Sequence, residues 1–267
     1  MALTRSAPLR PAALMVLAGL ATLGAAAIAG APRGLVAAYA AALGIGLALH
    51  LVLRLSAATV PRWVAILVPL LLALPLLLGP EVENARRWLR IGPVSVQPAL
   101  ILLPLLLRAG PSGWRSAAIL LSGAALLVQP DAGTLLALVT ALLFIWGGPG
   151  TRKQVYAVGA IAIVAVSLFA RGEATTVRFV EHVIEDLPRL PIAAITLYLL
   201  SLFLGTLALL RRPDAAPAAV FWAGALLASL LGPYPTPLIG LSASAMPGLF
   251  LSLPGRVSPS RGEATAG

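Results

Sequence analysis

The sequence contains no cysteine and only two histidines, and charged residues fill only 10% of its 267 positions. Without cysteine, the chain can form neither disulfides nor thiolate metal sites. Two imidazoles, His50 and His182, are too few for a histidine-rich metal site. The shortage of charge accompanies an excess of apolar residues, 60% of the chain, and a mean hydropathy of +0.98. A soluble domain of this size does not bury so much apolar surface, so the composition predicts a membrane protein.

Apolar runs predict an all-α polytopic bundle of about ten transmembrane helices with both termini in the cytoplasm. The net charge of +10 does not predict nucleic-acid binding, because positive charge in membrane proteins usually anchors cytoplasmic loops. The fourth run is the weakest, since prolines interrupt it. The predicted spans are 12–30, 34–53, 63–79, 91–107, 115–129, 131–147, 154–170, 190–210, 215–232 and 237–253.

The distribution of arginine and lysine favours a crossing by the fourth run. If all ten runs cross the membrane, 12 of the 19 basic side chains face the cytoplasm and 7 face outward. If the fourth run does not cross, 7 face the cytoplasm and 12 face outward, which the positive-inside rule disfavours. This topology leaves two larger outer loops, about 80–97 and 171–189. We expect a cytoplasmic segment 1–11, a transmembrane domain 12–253 and a disordered cytoplasmic tail 254–267.

A cluster of arginines lies in the first outer loop: Arg86, Arg87 and Arg90, with Trp88 among them. Guanidinium groups match the geometry of phosphate oxygens, and tryptophan favours the level of lipid headgroups. Two interpretations are open. The cluster forms a specific site for an anionic ligand, or it contacts lipid phosphates in general and pairs with nearby glutamates.

A carboxylate, Asp131, stands at the start of the sixth apolar run in the motif Gln-Pro-Asp-Ala-Gly-Thr, 129–134. It can cap the following helix, where the backbone N–H groups and the helix dipole favour an acid. It can also face a polar cavity, because ionisable groups inside membranes usually serve a function. The two roles are compatible.

Two further segments have both a structural and a functional interpretation. The proline-rich stretch 233–237 and the small residues up to Ser244 favour a turn followed by close helix packing. In the second outer loop, His182, Glu185 and Asp186 could provide a general base, or they could belong to a solvated, internally paired loop.

Taken in this order, the motifs resemble those of the SEDS family, the FtsW/RodA/SpoVE membrane proteins of bacterial cell-wall synthesis. The family's Ala-Arg-Arg-Trp and Gly-Pro-x-Ser-x-Gln-Pro pattern matches 85–98, including Gln97. Its Gln-Pro-Asp-Leu-Gly-Thr pattern matches 129–134. Its late serine- and glycine-rich motif matches 237–245 loosely, where Pro237 and Ser244 are retained.

The resemblance implies a multi-pass protein of the bacterial cytoplasmic membrane that acts in peptidoglycan synthesis. Similar proteins polymerise lipid II, an undecaprenyl-pyrophosphate-linked precursor, together with a bitopic penicillin-binding transpeptidase. It implies no covalent cofactor, and a divalent cation would accompany the lipid pyrophosphate. The positions that the resemblance assigns to substrate binding are Arg86, Arg87, Trp88, Arg90, Gln97, Asp131 and Ser244.

The chain departs from the family pattern where catalysis is expected. The acid and lysine that follow the family's Gln-Pro are absent, since Ala99, Leu100 and Leu103 stand there. If His182 corresponds to the family's loop histidine, no aspartate occupies the matching catalytic position. Glu185 and Asp186 are the nearest candidates for a catalytic base.

Three functions therefore remain open. The chain is a shortened glycosyltransferase, or a non-catalytic relative that binds the precursor or a transpeptidase. A lipid-precursor transporter is the weakest of the three, because a translocation path should show charged residues at several depths in the membrane.

Overall fold

The computed structural model describes residues 11–55, 62–81, 85–92, 94–108, 113–146, 178–181, 183–211 and 215–253. Within these ranges the chain forms a bundle of α-helices and one two-stranded antiparallel hairpin, β1 Leu89–Ile91 and β2 Val94–Val96. The helices are α1 Pro11–Ile28, α2 Arg33–Leu55, α3 Arg62–Leu78, α4 Pro98–Leu107, α5 Gly113–Val128, α6 Ala132–Trp146, α7 Val183–Asp186, α8 Ile192–Leu210, α9 Ala216–Leu231 and α10 Ala245–Ser252.

The helices agree with the apolar runs in the sequence. Three of them, α1, α2 and α8, are long and apolar enough to cross a membrane, and the other apolar helices are shorter. Large apolar side chains face outward from the bundle, for example Leu77 and Ile192, which are 80% and 82% exposed. Such a surface suits contact with lipid chains. The predicted span 154–170 and the tail 254–267 lie outside the described residues.

The fourth predicted span, 91–107, is wrong in its first part. Residues up to Val96 belong to the hairpin, and the helix covers only Pro98–Leu107. The alternation of Val94, Ser95 and Val96 favours a strand, and Gly92 turns the chain with a φ of 58°. Pro98 can begin a helix but cannot continue one, because it has no N–H group.

The tenth predicted span, 237–253, is also shorter than expected. Only Ala245–Ser252 is helical, and Leu238 adopts the left-handed region with φ 68°. Its carbonyl accepts hydrogen bonds from the hydroxyls of Thr22 (2.5 Å) and Ser201 (2.8 Å). Side chains of α1 and α8 thus satisfy irregular backbone that is buried in the bundle, which is the condition for such backbone at membrane depth.

The two short helices, α4 and α10, pack against each other near the centre of the bundle. Gly248 makes this possible, because a Cβ at that position would collide with the Leu100 carbonyl of α4. The close packing predicted from the small residues is therefore present. Around this pair, α1 packs on α8, α6 on α9, α3 on α5, and α2 on α10.

Candidate functional site

The three sequence motifs meet in one buried group of polar side chains at the ends of β2, α6 and α10. Each member is less than a tenth exposed. We call this group the polar cluster, and its members are Arg87, Gln97, Asp131, Thr134 and Ser244. Residues far apart in the sequence are joined here by direct contacts.

Asp131 is completely buried and caps the N-terminus of α6. Its Oδ1 accepts a hydrogen bond of 3.2 Å from the Thr134 backbone N–H. The positive end of the helix and this hydrogen bond both stabilise a carboxylate. The capping interpretation is therefore confirmed, and the second oxygen, Oδ2, accepts a hydrogen bond from the side chain of Gln97.

Arg87 is the charged partner of Asp131. Its Nη1 lies 3.8 Å from Asp131 Oδ1, and the two side chains are 8% and 0% exposed. The guanidinium also lies over two aromatic rings, Trp88 at 4.1 Å and Tyr234 at 4.7 Å. Its buried Nε has no hydrogen-bond partner among the described residues. A buried ion pair needs such contacts to offset the cost of leaving water.

Gln97 connects the three motifs. Its side-chain Nε2 donates to Asp131 Oδ2 at 2.6 Å and to Thr134 Oγ1 at 2.8 Å. Its backbone N–H donates to Ser244 Oγ at 2.7 Å. Its Oε1 is buried and has no partner in the described part of the chain. The side chain and the backbone of this one residue thus hold together the end of the hairpin, the start of α6 and the start of α10.

The charges within the polar cluster cancel. At about 4 Å and an effective dielectric constant near 20, the interaction energy of two unit charges is roughly 4 kcal/mol. It is favourable for opposite charges and unfavourable for like charges. An anion that contacted Arg87 would also meet the nearby carboxylate of Asp131, and the two contributions would largely offset each other. The cluster therefore resembles a site for neutral polar groups more than a simple anion site.

Tyr234 also belongs to the site, although no sequence pattern indicated this. It lies in the connection between α9 and α10, and its ring packs so closely on Gly133 that a Cβ there would overlap it. Burial raises the pKa of Tyr234, the Asp131 carboxylate raises it further, and Arg87 lowers it. The proline-rich stretch around it indicated a turn, but nothing in that pattern indicates a side chain that meets the other motifs.

A small pocket, partly open to solvent, lies beside the polar cluster, and it has room for roughly one water molecule. Thr236 is buried next to the lining residue Pro235, and its Oγ1 has no partner among the residues described. The lining residues are Gln97, Leu100, Gly133, Thr134, Ala225, Ala228, Tyr234 and Pro235.

The other two arginines of the predicted site, Arg86 and Arg90, lie outside the polar cluster. Arg86 forms a 2.8 Å ion pair with Glu81, and both side chains are about half exposed. Arg90 stands exposed on β1, opposite Ser95. The structure thus separates one buried arginine from two exposed ones, and pairing with a nearby glutamate holds for Arg86.

The second outer loop is described at 178–181 and from 183 onward, so His182 lies outside the described residues. Asp186 is held between two arginines, Arg178 at 3.1 Å and Arg189 at 3.6 Å, as expected for an internally paired loop. Glu185 is exposed.

This loop reaches the segment that carries Tyr234 and Ser244. The backbone carbonyls of Phe179 and Val180 accept hydrogen bonds from the N–H groups of Leu241 and Thr236, at 2.7 and 2.9 Å. The loop containing Asp186 therefore packs on the same irregular segment that supplies one side of the polar cluster.

Several solved structures share this architecture. The rod shape determining protein RodA of Thermus thermophilus is 22% identical, with 90% of this chain and 91% of that chain covered and a TM-score of 0.52. A mutant of that RodA is 24% identical, with 90% and 92% covered and a TM-score of 0.54. A structure of a peptidoglycan synthase complex that coordinates polymerization and crosslinking is 22% identical, with 91% and 93% covered and a TM-score of 0.56.

Neither a protein-family model nor a curated protein matches the chain. At identities below 25%, the structural likeness shows the fold. The chain therefore has the fold of RodA, a polytopic helical membrane protein. The predicted all-α polytopic bundle is confirmed, and the number of spans and the cytoplasmic position of both termini stay predictions.

Proposed function

We propose that this chain acts in peptidoglycan synthesis in the bacterial cytoplasmic membrane, as a glycosyltransferase that polymerises an undecaprenyl-pyrophosphate-linked saccharide. The observation that carries the proposal is the position of Gln97, which contacts Asp131 and Ser244 and so unites all three motifs. The RodA fold supports it. A buried, hydrogen-bonded polar group inside an apolar bundle is costly, and such groups usually serve a function.

The reaction would join two precursor molecules. A hydroxyl of the acceptor sugar attacks the anomeric carbon of the donor sugar, the bond from that carbon to the pyrophosphate oxygen breaks, and polyprenyl pyrophosphate leaves. The hydroxyl proton passes to a base. Negative charge develops on the leaving oxygen, and cationic groups stabilise it. Arg86 and Arg90, exposed near the hairpin, are the proposed groups.

A divalent cation would enter with the pyrophosphate as part of the substrate. In the described ranges, no three His, Cys, Asp or Glu side chains are grouped as metal ligands. We propose that the phosphate oxygens of the substrate hold the cation.

Asp186 and Glu185 are the proposed bases toward the hydroxyl. Asp131 is less suited to act as the base, because both of its carboxylate oxygens already accept hydrogen bonds. Oδ1 accepts one from the Thr134 backbone N–H, and Oδ2 accepts one from the Gln97 side chain. A base needs a lone pair within reach of the proton that it takes. Glu185 is exposed, and Asp186 lies on the loop that packs against the irregular segment.

A second candidate function is binding of the precursor without catalysis. It is favoured by the contacts of Asp186, since each of its carboxylate oxygens faces an arginine. A base engaged in this way is less available for proton transfer. The fold and the polar cluster serve a binding protein equally well.

A bitopic transpeptidase is the proposed partner in either case. A solved structure with the same fold comes from a complex that coordinates polymerization and crosslinking. Crosslinking joins the strands that polymerisation makes, so the two activities benefit from proximity.

Glycan synthesis by the purified full chain tests the proposal. The protein is reconstituted in nanodiscs with lipid II and Mg²⁺ or Mn²⁺, with and without a cognate transpeptidase blocked by penicillin, and products are separated by gel electrophoresis. We expect polymer from the wild type and at least about a hundredfold loss for the variant that lacks the base, Asp186→Asn or Glu185→Gln. Arg33→Gln, an exposed arginine at the start of α2, is the matched control.

The two candidate functions give different results in this experiment. If lipid II binds but no polymer forms under any condition, the chain is a binding protein. If polymer forms and neither carboxylate variant reduces it, the assignment of the base is wrong.

A further inference from the structure

We infer that the β-hairpin lies flat on the membrane at the C-terminal end of α3, with its apolar face in contact with lipid and its arginine face toward headgroups and water. The partner of the apolar face is thus the lipid bilayer itself. Such docking goes beyond the proposed function, since it serves a polymerising enzyme and a binding protein alike.

The hairpin has one apolar face and one polar face. In an antiparallel pair, directly opposite residues share a face, and successive residues along a strand alternate between faces. The two apolar pairs therefore lie on one face and the polar pair lies on the other. The register consists of the pairs Leu89 with Val96, Arg90 with Ser95, and Ile91 with Val94.

The apolar face is not buried by the described part of the chain. Ile91 is 65% exposed, and Leu89, Val94 and Val96 are only partly buried. A two-stranded hairpin is at best marginally stable in water, and an apolar face of this kind needs cover. Contact with lipid supplies that cover.

Two contacts attach the residues just before β1 to the C-terminal end of α3. Arg86 Nη1 donates a hydrogen bond of 3.4 Å to the Leu76 carbonyl. The Trp88 carbonyl lies so close to Gly79 that a Cβ at that glycine would collide with it. β1 itself packs against α3. The hairpin is therefore fixed beside this end of the helix.

This end of α3 lies where lipid chains give way to headgroups. Leu77 and Leu78, the last residues of the helix, are 80% and 70% exposed, which suits contact with lipid chains. The half-exposed ion pair of Glu81 with Arg86 follows, and such charges are costly inside a bilayer. The partly buried Trp88 favours the same boundary. The hairpin is therefore attached at the membrane surface, next to a part of the bundle that contacts lipid.

The backbone of the hairpin limits how deep it can lie. In the part of the chain that the structure describes, it is a separate two-stranded sheet. Its open edges carry N–H and C=O groups that lipid chains cannot satisfy. The hairpin therefore stays at the headgroup level, and only its apolar face touches the lipid chains. Arg90, exposed on the other face, lies among lipid phosphates, which a guanidinium group binds well.

Spin labels on single cysteines report which face contacts lipid. The chain contains no cysteine, so each introduced cysteine carries the only label. The full chain in nanodiscs of phosphatidylglycerol and phosphatidylcholine is labelled on the apolar face, with Ile91→Cys or Val94→Cys, and on the polar face, with Ser95→Cys. Leu77→Cys on α3 is the control for lipid contact. Collisions of each label are measured with oxygen, which concentrates in lipid, and with a nickel chelate, which stays in water.

We expect the ratio of oxygen to nickel collisions at Ile91 and Val94 to be several times the ratio at Ser95, and to approach the ratio at Leu77. Because the two apolar positions are labelled in separate variants, a label that distorts the hairpin at one of them leaves the other as the test. Thermal unfolding verifies that each labelled variant is folded.

Three results would overturn the inference. Ratios on both faces that match the ratio at Leu77 would place the whole hairpin among lipid chains. Frequent nickel collisions on both faces would place it in water, away from the membrane. Few collisions with either reagent at Ile91 and Val94 would show that protein covers the apolar face, from another part of the chain or from a second copy. Since none of these measurements requires polymer formation, the proposed function is tested separately.

Discussion

Gln97 and Asp131, 34 positions apart in the sequence, are joined by a buried hydrogen bond of 2.6 Å from the amide Nε2 to the carboxylate Oδ2. The same amide contacts Thr134, and the backbone of Gln97 contacts Ser244. Because these hydrogen bonds of Gln97 connect the hairpin, α6 and α10, the three elements cannot shift independently. Changes at any of these positions should therefore alter both stability and ligand binding.

Replacing Asp131 with Asn should separate its two roles. Asparagine is also a good helix cap, so the cap survives while the negative charge is lost. Arg87 then remains buried without its counter-ion, which should cost roughly 3–5 kcal/mol of unfolding free energy. Thermal and chemical unfolding of the detergent-solubilised protein measures this loss. The double variant Arg87→Gln with Asp131→Asn should recover part of it, and an additive loss would contradict the ion pair.

Ser244→Ala should destabilise the chain by about 1–2 kcal/mol, because the buried N–H of Gln97 loses its acceptor. Ser122→Ala is the matched control, since that hydroxyl bonds the Ala118 carbonyl within its own helix, α5. We expect the control to change stability by less than about 0.5 kcal/mol. Equal effects of the two changes would argue against the contact with Gln97.

Thr22 and Ser201 should show strong coupling. Both hydroxyls donate to the Leu238 carbonyl, so either one alone can satisfy it. Thr22→Val or Ser201→Ala should each cost about 0.5–1 kcal/mol, whereas the double variant should cost roughly 1–3 kcal/mol more than their sum. A double-mutant cycle on unfolding free energies measures the difference. Simple additivity would show that Leu238 does not depend on these hydroxyls.

Gly133→Ala should be strongly unfavourable, and Gly123→Ala should not. A Cβ at Gly133 overlaps the Tyr234 ring, whereas at Gly123 it meets only Leu138 Cδ2 at an ordinary 3.6 Å. The first change must displace Tyr234 and disturb Arg87, with an expected loss of about 1–3 kcal/mol. The second should stabilise α5 by up to about 1 kcal/mol, since alanine is the better helix former. Unfolding of both variants tests this, and similar effects would contradict the packing of Tyr234.

Tyr234 should make stability depend on pH in the alkaline range. Its folded-state pKa is raised above the ordinary value of 10.0 by burial and by Asp131. The folded protein therefore holds the phenolic proton more tightly than the unfolded chain does. This contribution is complete below pH 10 and declines as the pH rises above it. Stability measured between pH 8 and 11 should fall less for Tyr234→Phe than for the wild type. Identical slopes would contradict the raised pKa.

The bundle and its motifs were predictable because they depend on local chemistry. Apolar runs such as 192–210 form helices wherever they can be buried in lipid or protein. Asp131 precedes a helix and caps it, as its side chain favours. The family resemblance then indicated that Gln97, Asp131 and Ser244 belong to one site, and the structure brings them together.

Three features of the structure could not be predicted, because they depend on contacts between residues that are far apart in the sequence. The break at Leu238 is stable because hydroxyls from α1 and α8 reach its carbonyl. The position of Tyr234 depends on its contact with Gly133 of another helix. The division between the two arginines is also tertiary: Arg87, before the hairpin, is buried against Asp131 and Tyr234, whereas Arg90 on β1 is exposed. Neighbouring arginines look alike in the sequence.

The two short helices, α4 and α10, have a consequence for how far a polar molecule must travel. With 10 and 8 residues, they are about 15 and 12 Å long at 1.5 Å per residue, roughly half of a hydrocarbon layer of about 30 Å. Both begin at the same depth, because the Gln97 N–H meets the Ser244 hydroxyl there. Neither helix alone crosses the hydrocarbon layer. The path along either helix from the contact between Gln97 and Ser244 therefore covers only about half of the thickness that a full membrane span must cross.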